Sequence, residues 1–162
     1  MTTSNYKSIA ANIKFEGRAF INGKYVDALS GEKFETINPA TGEVLCSVAK
    51  CNGKDVDLAV EVSRKAFNSG VWSRSSPESR KDILLKFADL LRKHGEENSV
   101  LECIDTGKLI GDCINEVAND APMHFQWYGE LIDKVFGKVG PTEPSLTSLI
   151  VKEPIGVVAG IV

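Results

Sequence analysis

The spacing of apolar residues along this chain changes near residue 53, from a period of about two to a period of about 3.6. Before that point the signals are those of short strands. Phe20-Ile21 and Tyr25-Val26 flank Asn22-Gly23-Lys24, and Asn-Gly accepts the positive φ angles of a tight hairpin. A second pair, Lys33 to Ile37 and Val44 to Ala49, is joined by a turn rich in Pro and Gly. The chain is predicted to open with two antiparallel hairpins.

After Gly53 the pattern predicts helices. Gly70 is placed to end the first helix in a left-handed conformation, and Ser76-Pro77-Glu78 is a strong start for the second. The inward face of the first is predicted to carry Val56, Ala59, Val60, Ser63, Ala66 and Phe67, and that of the second Ile83, Leu84, Phe87, Ala88 and Leu91.

Two further helices are predicted. The third runs from about Glu96 to Asp105 and stops at Thr106-Gly107, and the fourth runs from about Asp112 to Phe136. Pro122 interrupts the hydrogen-bond ladder of the fourth, so we expect a kink or two abutting helices there.

The last part of the chain returns to strand-like sequence. Residues 146–152, LTSLIVK, have one polar half, whereas Pro154 to Val162 is apolar and typical of a parallel strand buried on both faces. An α/β fold is therefore predicted, with a tail over 1–17, a β-hairpin and helical part over 18–137, an arm over 138–153 and a first sheet strand over 154–162.

Composition excludes several classes of protein. A chain that is 43% hydrophobic and 25% charged is ordinary for a folded domain. Its net charge of -3 and its scattered basic residues argue against nucleic-acid binding, and no apolar run approaches the roughly 18 residues of a membrane span. The first seventeen residues resemble neither a signal peptide nor a transit peptide, so we expect a cytoplasmic protein without membrane partners.

Few residues are candidates for catalysis or for binding a ligand. The sequence has no Gly-rich phosphate loop, and neither histidine has a partner at motif spacing. The four cysteines, at positions 46, 51, 103 and 113, show neither zinc-ligand spacing nor an identifiable base. We interpret Cys103 as a core residue and assign no catalytic cysteine.

Five segments in order resemble the NAD(P)-dependent aldehyde dehydrogenases: FINGKYVDALSGEKFETINPATGEVL (20–45), DVDLAVEVSRKAF (55–67), SRKDILLKFADLLRKH (79–94), ECIDTGK (102–108) and KEPIGVVAGIV (152–162). Two others, WSRSSPESRK (72–81) and WYGELIDKVFGKV (127–139), look closest to the branch that acts on γ-glutamylamino-butyraldehyde and related aminoaldehydes. The resemblance implies that residues 154–162 are the first strand of an incomplete Rossmann-like sheet.

The resemblance also implies a mechanism. In the family a cysteine thiolate attacks the aldehyde, backbone and Asn donors hold the oxyanion, hydride passes to NAD or NADP, and a glutamate activates water. These residues follow the segment that EPIGVVAGIV resembles. We therefore expect no catalytic or cofactor-binding residue in this chain, no bound NAD or NADP, and no activity of the chain alone.

Two candidate sites come from the same resemblance. Backbone oxygens of Thr36 and Ile37 with the carboxylate of Asp105 correspond to a monovalent-cation site, although Asp105 could equally bond its own helical turn. Asp120 falls where the substrate tunnel begins and would suit an amine-bearing aldehyde, the alternative being a solvated helix face. Trp127 and Tyr128 either border that tunnel or pack in the core.

Residues 146–152 resemble the arm that pairs subunits in family dimers or tetramers, which predicts a homo-oligomer. Two alternatives stay open: a non-catalytic module that co-assembles with full-length subunits, and an unrelated α+β binding domain. With no cover for its apolar terminal strand, the chain alone is expected to self-associate or to leave its last residues disordered.

Overall fold

The two predicted hairpins are present in the computed structural model, which describes residues 3–161. Strands β1 (Ala19–Ile21) and β2 (Lys24–Val26) pair in antiparallel register around Asn22 and Gly23. These two turn residues have φ angles of 54° and 73°, as a tight hairpin of this twist requires. The Asn-Gly prediction is confirmed.

The second hairpin has the predicted bounds, with β3 at Lys33–Ile37 and β4 at Val44–Ala49. Its register shifts within the ladder, because Thr36 lies opposite Cys46 whereas Ile37 lies opposite Val44. One residue of β4, Leu45, is therefore extra and forms a bulge that interrupts the regular ladder beside Thr36 and Ile37.

Helices α2 (Gly53–Ser69), α3 (Pro77–Lys93) and α4 (Gly95–Thr106) follow the predicted order. Gly70 ends α2 with φ 81°. Ser76 caps the start of α3, because its Oγ accepts a hydrogen bond from the Ser79 amide at 3.1 Å. Pro77 occupies the first helical position. The local start and stop signals are thus confirmed.

The predicted fourth helix is a composite. It consists of α5 (Ile110–Cys113), a π-helical segment (Ile114–Asp120), α6 (Ala121–Leu131) and a 3₁₀ turn (Ile132–Lys134). Pro122 has no N–H to donate, and in a regular helix its ring would meet the carbonyl four residues earlier. The chain avoids this by widening the preceding turns, with the Ala121 amide donating to the Glu116 carbonyl five residues back.

Two elements are absent from the pattern-based prediction. Helix α1 (Thr3–Asn12) lies in the predicted tail and packs on α4 through half-buried Tyr6, Ile9 and Ala10. Strand β5 (Lys138–Gly140) pairs antiparallel with β6 (Ser148–Ile150), which is the central part of LTSLIVK. Both are short or weakly apolar, so the periodicity does not reveal them.

The predicted terminal strand is not confirmed. Pro154 to Ile161 have no regular secondary structure, and Val162 lies outside the described residues. A strand forms only by pairing, and each sheet in the described part has just two strands, none next to this segment. Its apolar side chains are left open to solvent, with Ile155 91% and Ile161 96% exposed.

The core of the described residues is small and built from small side chains. No Leu, Ile, Phe, Tyr or Trp in residues 5–161 is buried, and the apolar residues that are buried are Ala28, Ala49, Ala88, Val100, Cys113 and Pro122. The predicted inward faces are correct for Ala88, whereas Val56, Val60, Ile83 and Phe87 are about half exposed. Within residues 3–161 no helix is long and apolar enough to cross a membrane.

One buried charge fixes the approach of α2 to the strands. The Asp55 carboxylate is only 3% exposed and accepts backbone hydrogen bonds from Leu29 and Asn52, each at 2.8 Å. The Asn52 side chain in turn accepts from the Lys54 amide, which completes a reciprocal cap. These bonds from Asn52 and Leu29 lower the pKa of Asp55. The sequence signal for this cap is Asn followed three residues later by Asp.

We predict that Asp55→Asn destabilises the chain at neutral pH, because one carboxylate oxygen becomes an N–H that faces an amide donor. Asp55 has its pKa lowered from 3.8, so its contribution is complete above that value and is lost as the pH falls through the folded pKa. Urea unfolding at several pH values should therefore show that the difference in free energy of unfolding between wild type and variant becomes smaller in acid. A difference that does not change with pH would contradict a role for the charge.

Candidate functional site

A cleft of about 460 Å³ lies between the second hairpin, the segment before β1 and the C-terminal half of α4. Its walls are partly apolar and partly polar. The residues that line it are Lys14, Phe15, Glu16, Phe34, Thr36, Cys46, Val48, Leu101 and Asp105. Two of the residues predicted to hold a cation, Thr36 and Asp105, therefore share one cavity.

Thr36 and Asp105 are in direct contact. The Thr36 hydroxyl donates to Asp105 Oδ1 at 3.0 Å, although the two residues are 69 positions apart in the chain. Ile37 follows Thr36 at the bulge, with a half-exposed side chain, and its backbone lies where the ladder is interrupted. All three predicted residues thus lie at one place on the hairpin and α4.

The turn after α4 fixes this arrangement. Gly107 adopts φ 77°, and a β carbon there would lie 2.8 Å from Cγ of Pro39 in the hairpin loop. The Thr106 hydroxyl donates to the Glu102 carbonyl at 2.6 Å, and the Cys103 thiol donates to the Lys108 carbonyl at 3.1 Å. The glycine is needed both for its backbone angle and for the close approach of the two loops.

Lys108 joins the end of α4 to the π-helical segment. Its ammonium lies 2.7 Å from a Glu116 oxygen and 3.3 Å from a Glu102 oxygen. The hydrogen bonds that its ammonium donates to Glu116 and Glu102 raise the pKa of Lys108. All three side chains are open to solvent, so the network orients the turn more than it stabilises the fold.

The donors in the cleft suit a hard cation. Carboxylate, hydroxyl and backbone oxygens are ligands of such ions, whereas the described residues contain no group of three or more His, Cys, Asp or Glu side chains that could hold a metal. At the rim, Glu16 is paired with Arg18 at 2.6 Å, and the hydrogen bonds from that guanidinium lower the pKa of Glu16 to about 2. Glu16 is therefore a carboxylate at any physiological pH.

The second candidate position, Asp120, is exposed and lies apart from the cleft's lining residues, at the end of the π-helical segment. Its backbone carbonyl lies 2.8 Å from Nδ1 of His124. Tyr128 is four residues further on, so the three share one side of the helix. Trp127 and Tyr128 are 63% and 61% exposed. The core interpretation of these two aromatics is wrong, and the tunnel interpretation stays a prediction.

Neither Cys113 nor Cys103 has the surroundings of a nucleophile. Cys113 is fully buried, and burial raises its pKa, which opposes formation of the thiolate. Cys103, predicted to be core, is only half-buried and donates to a carbonyl. The fully buried cysteine is therefore Cys113, because its helix lies under α4.

The sheets of the described residues differ from those of the usual dinucleotide site. Such a site is built at the carboxyl ends of parallel strands with a Gly-rich turn. Every sheet in residues 3–161 is a two-stranded antiparallel pair, and the sequence has no such turn.

We predict that Gly107→Ala destabilises the chain by about 1–2 kcal/mol or more, because the left-handed angle disfavours a β carbon and Pro39 occupies its place. Gly111→Ala is the matched control, since nothing lies within 4 Å of its β carbon position and its φ is not positive. Urea unfolding should show the first variant losing stability and the second retaining it. Equal stabilities would contradict the role assigned to this turn.

Comparison with known proteins identifies the family of this chain. Residues 25–162 match the model of the aldehyde dehydrogenase family. The NADP/NAD-dependent aldehyde dehydrogenase PuuC of Escherichia coli is 42% identical over 153 residues, which are 94% of this chain and 31% of PuuC.

Solved structures are also similar. KauB of Pseudomonas aeruginosa superposes with a TM-score of 0.93 at 40% identity, over 96% of this chain and 32% of KauB. A γ-glutamyl-γ-aminobutyraldehyde dehydrogenase of Burkholderia cenocepacia gives 0.88 at 42% identity, over 92% of this chain and 30% of that chain. This chain spans about a third of the length of these relatives, corresponding to their N-terminal part. It belongs to the aldehyde dehydrogenase family.

Proposed function

We propose that this chain is the N-terminal portion of an aldehyde dehydrogenase that converts an aldehyde, NAD(P)⁺ and water into a carboxylate, NAD(P)H and two protons. The observation that carries the proposal is the family match over residues 25–162, which covers only about 31% of PuuC. In this proposal the chain supplies scaffold, and the family's Cys, Asn and Glu act from the part that it does not match. The chain alone is inactive and binds neither NAD nor NADP.

The proposed substrate class is the aminoaldehydes. Relatives named for such substrates, among them the γ-glutamyl-γ-aminobutyraldehyde dehydrogenase, support it at 42% identity. Asp120 supports it on chemical grounds, because an exposed carboxylate at a tunnel entrance attracts an ammonium group. In this proposal Asp120 orients the substrate and takes no part in the chemical step.

Thr36, Ile37 and Asp105 are proposed to hold a monovalent cation. Support comes from the 3.0 Å contact between Thr36 and Asp105 at the interrupted strand ladder. A cation there would join the hairpin to α4 and so stabilise the folded state by binding it alone.

The proposed assembly is a homo-oligomer through residues 146–152. The β5–β6 hairpin supports it, since β6 has β5 on one side only and Leu149, Ile150 and Val151 are largely exposed. The same edge also favours the second candidate function, a non-catalytic module that co-assembles with full-length subunits.

The activity is tested with a chimera in which this chain replaces its matching segment in PuuC. We expect NAD(P)H formation from aminoaldehydes by the chimera and none by the 162-residue chain alone. Asp120→Asn in the chimera should raise KM for an aminoaldehyde about tenfold and leave an uncharged aldehyde unaffected. A folded but inactive chimera would refute the proposal, and equal effects on both aldehydes would refute the role of Asp120.

Cation binding is tested by melting the chain in potassium chloride and in the chloride of a large organic cation at equal ionic strength. Potassium should raise the Tm of wild type and of Asp82→Asn, an exposed helix position, but not that of Asp105→Asn. The same potassium effect in Asp105→Asn would exclude the carboxylate as a ligand.

A further inference from the structure

Two of the four cysteines flank the turn that joins α4 to α5. Cys103 lies in the last turn of α4, and Cys113 is the last residue of α5. The Cys103 thiol donates to the Lys108 carbonyl at 3.1 Å, and the Cys113 amide donates to the Leu109 carbonyl at 3.1 Å. Both cysteines are therefore held against successive carbonyls of the same turn.

The side of α4 that carries Cys103 is the side that packs on Cys113. Ser99 lies one helical turn before Cys103, so both side chains are on the same side of α4. The Ser99 hydroxyl oxygen lies 3.1 Å from the Cys113 carbonyl oxygen. Leu101 and Asp105, which line the cleft beside the second hairpin, are on the opposite side of the helix. Cys103 thus lies towards α5 and away from that cleft.

The two thiols differ in their access to solvent. Cys103 is half-buried, so a small oxidant can reach it, whereas Cys113 is fully buried. Burial raises the pKa of Cys113, and the neighbouring Cys103 thiol raises it further, so the Cys113 thiol keeps its proton. Since Cys103 donates to a backbone carbonyl and not to a base, its oxidation is a slow, stoichiometric modification and not catalysis.

We propose that Cys103 and Cys113 form a site of oxidative modification, which hydrogen peroxide converts into a disulfide within the chain. The Cys103 sulfur first forms an S–O bond as the O–O bond of the peroxide breaks, which gives a sulfenic acid and one water. The Cys113 sulfur then forms the S–S bond as the S–O bond breaks, and the departing hydroxide leaves with the Cys113 proton as a second water. Two thiols lose two electrons, and one peroxide is reduced to two waters.

The disulfide fastens the turn that carries Gly107 and Lys108. It removes the thiol hydrogen that the Lys108 carbonyl accepts, and it closes the short loop from Cys103 to Cys113 covalently. Because a closed loop restricts the unfolded chain more than the folded one, the oxidised chain should melt at a higher temperature than the reduced chain. Dithiothreitol should reverse this shift in Tm.

The test treats the 162-residue chain with hydrogen peroxide, blocks the remaining thiols with iodoacetamide and maps the tryptic peptides of the monomer by mass spectrometry. Trypsin places the four cysteines in four different peptides, which are residues 34–50, 51–54, 94–108 and 109–134. The link between the last two should be about tenfold more abundant than any other pairing. It should persist in Cys51→Ser, the matched control at an exposed cysteine, and be lost in Cys103→Ser and Cys113→Ala.

The same oxidation in concentrated urea separates proximity in the fold from chance pairing. In the unfolded chain Cys46 and Cys51 close the shortest loop, so their link should replace the link between Cys103 and Cys113 as the main product. Equal yields of the latter link in the folded and the unfolded chain would overturn the proposal. So would oxidation of Cys103 without a link, a link from either cysteine to another peptide, or a link only between two copies of the chain. The wild-type peptides identify the bond, so the result does not depend on the folding of any variant.

Discussion

The close contact between α4 and the π-helical segment holds the helical part of this chain together. A β carbon at Gly95 would lie 2.8 Å from that of Ala118, so only glycine allows the two backbones to approach. Nearby, the buried Ser99 hydroxyl contacts the carbonyls of Gly95 and Cys113 at 2.7 and 3.1 Å. These contacts fix the direction of α4, whose far end carries Asp105 to the second hairpin. The candidate site therefore depends on packing at the opposite end of the helix.

Local signals were sufficient to predict much of the fold. Asn22-Gly23, Gly70 and Ser76-Pro77 each determine a backbone angle or satisfy a specific hydrogen bond, and such effects act within a few residues. Pro122 likewise predicts an irregular helix. It does not predict the form of the irregularity, because π-helical widening and a simple kink both relieve the clash between the proline ring and the carbonyl four residues earlier. The contact of Thr36 with Asp105 lies beyond any local signal and was indicated only by the family resemblance.

Burial was the least predictable property. Periodicity identifies the apolar side of a helix, but exposure depends on whether another element lies on that side. Ala88 is fully buried, whereas Ile83 on the same helix is half exposed. Asp55 is the opposite case, a charged residue that is buried because two backbone amides donate to its carboxylate.

The π-helical segment also determines how the helix can tolerate changes in length. A π turn accommodates one residue more than an α-helical turn at nearly the same rise. Removal of one residue between Ile114 and Asp120 would therefore convert the segment into ordinary α-helix, while the residues after it kept their direction. His124 and Tyr128 would still face the same way, and α5 with its buried Cys113 would stay in place. The segment thus allows the helix to lose one residue without turning the candidate substrate-facing side.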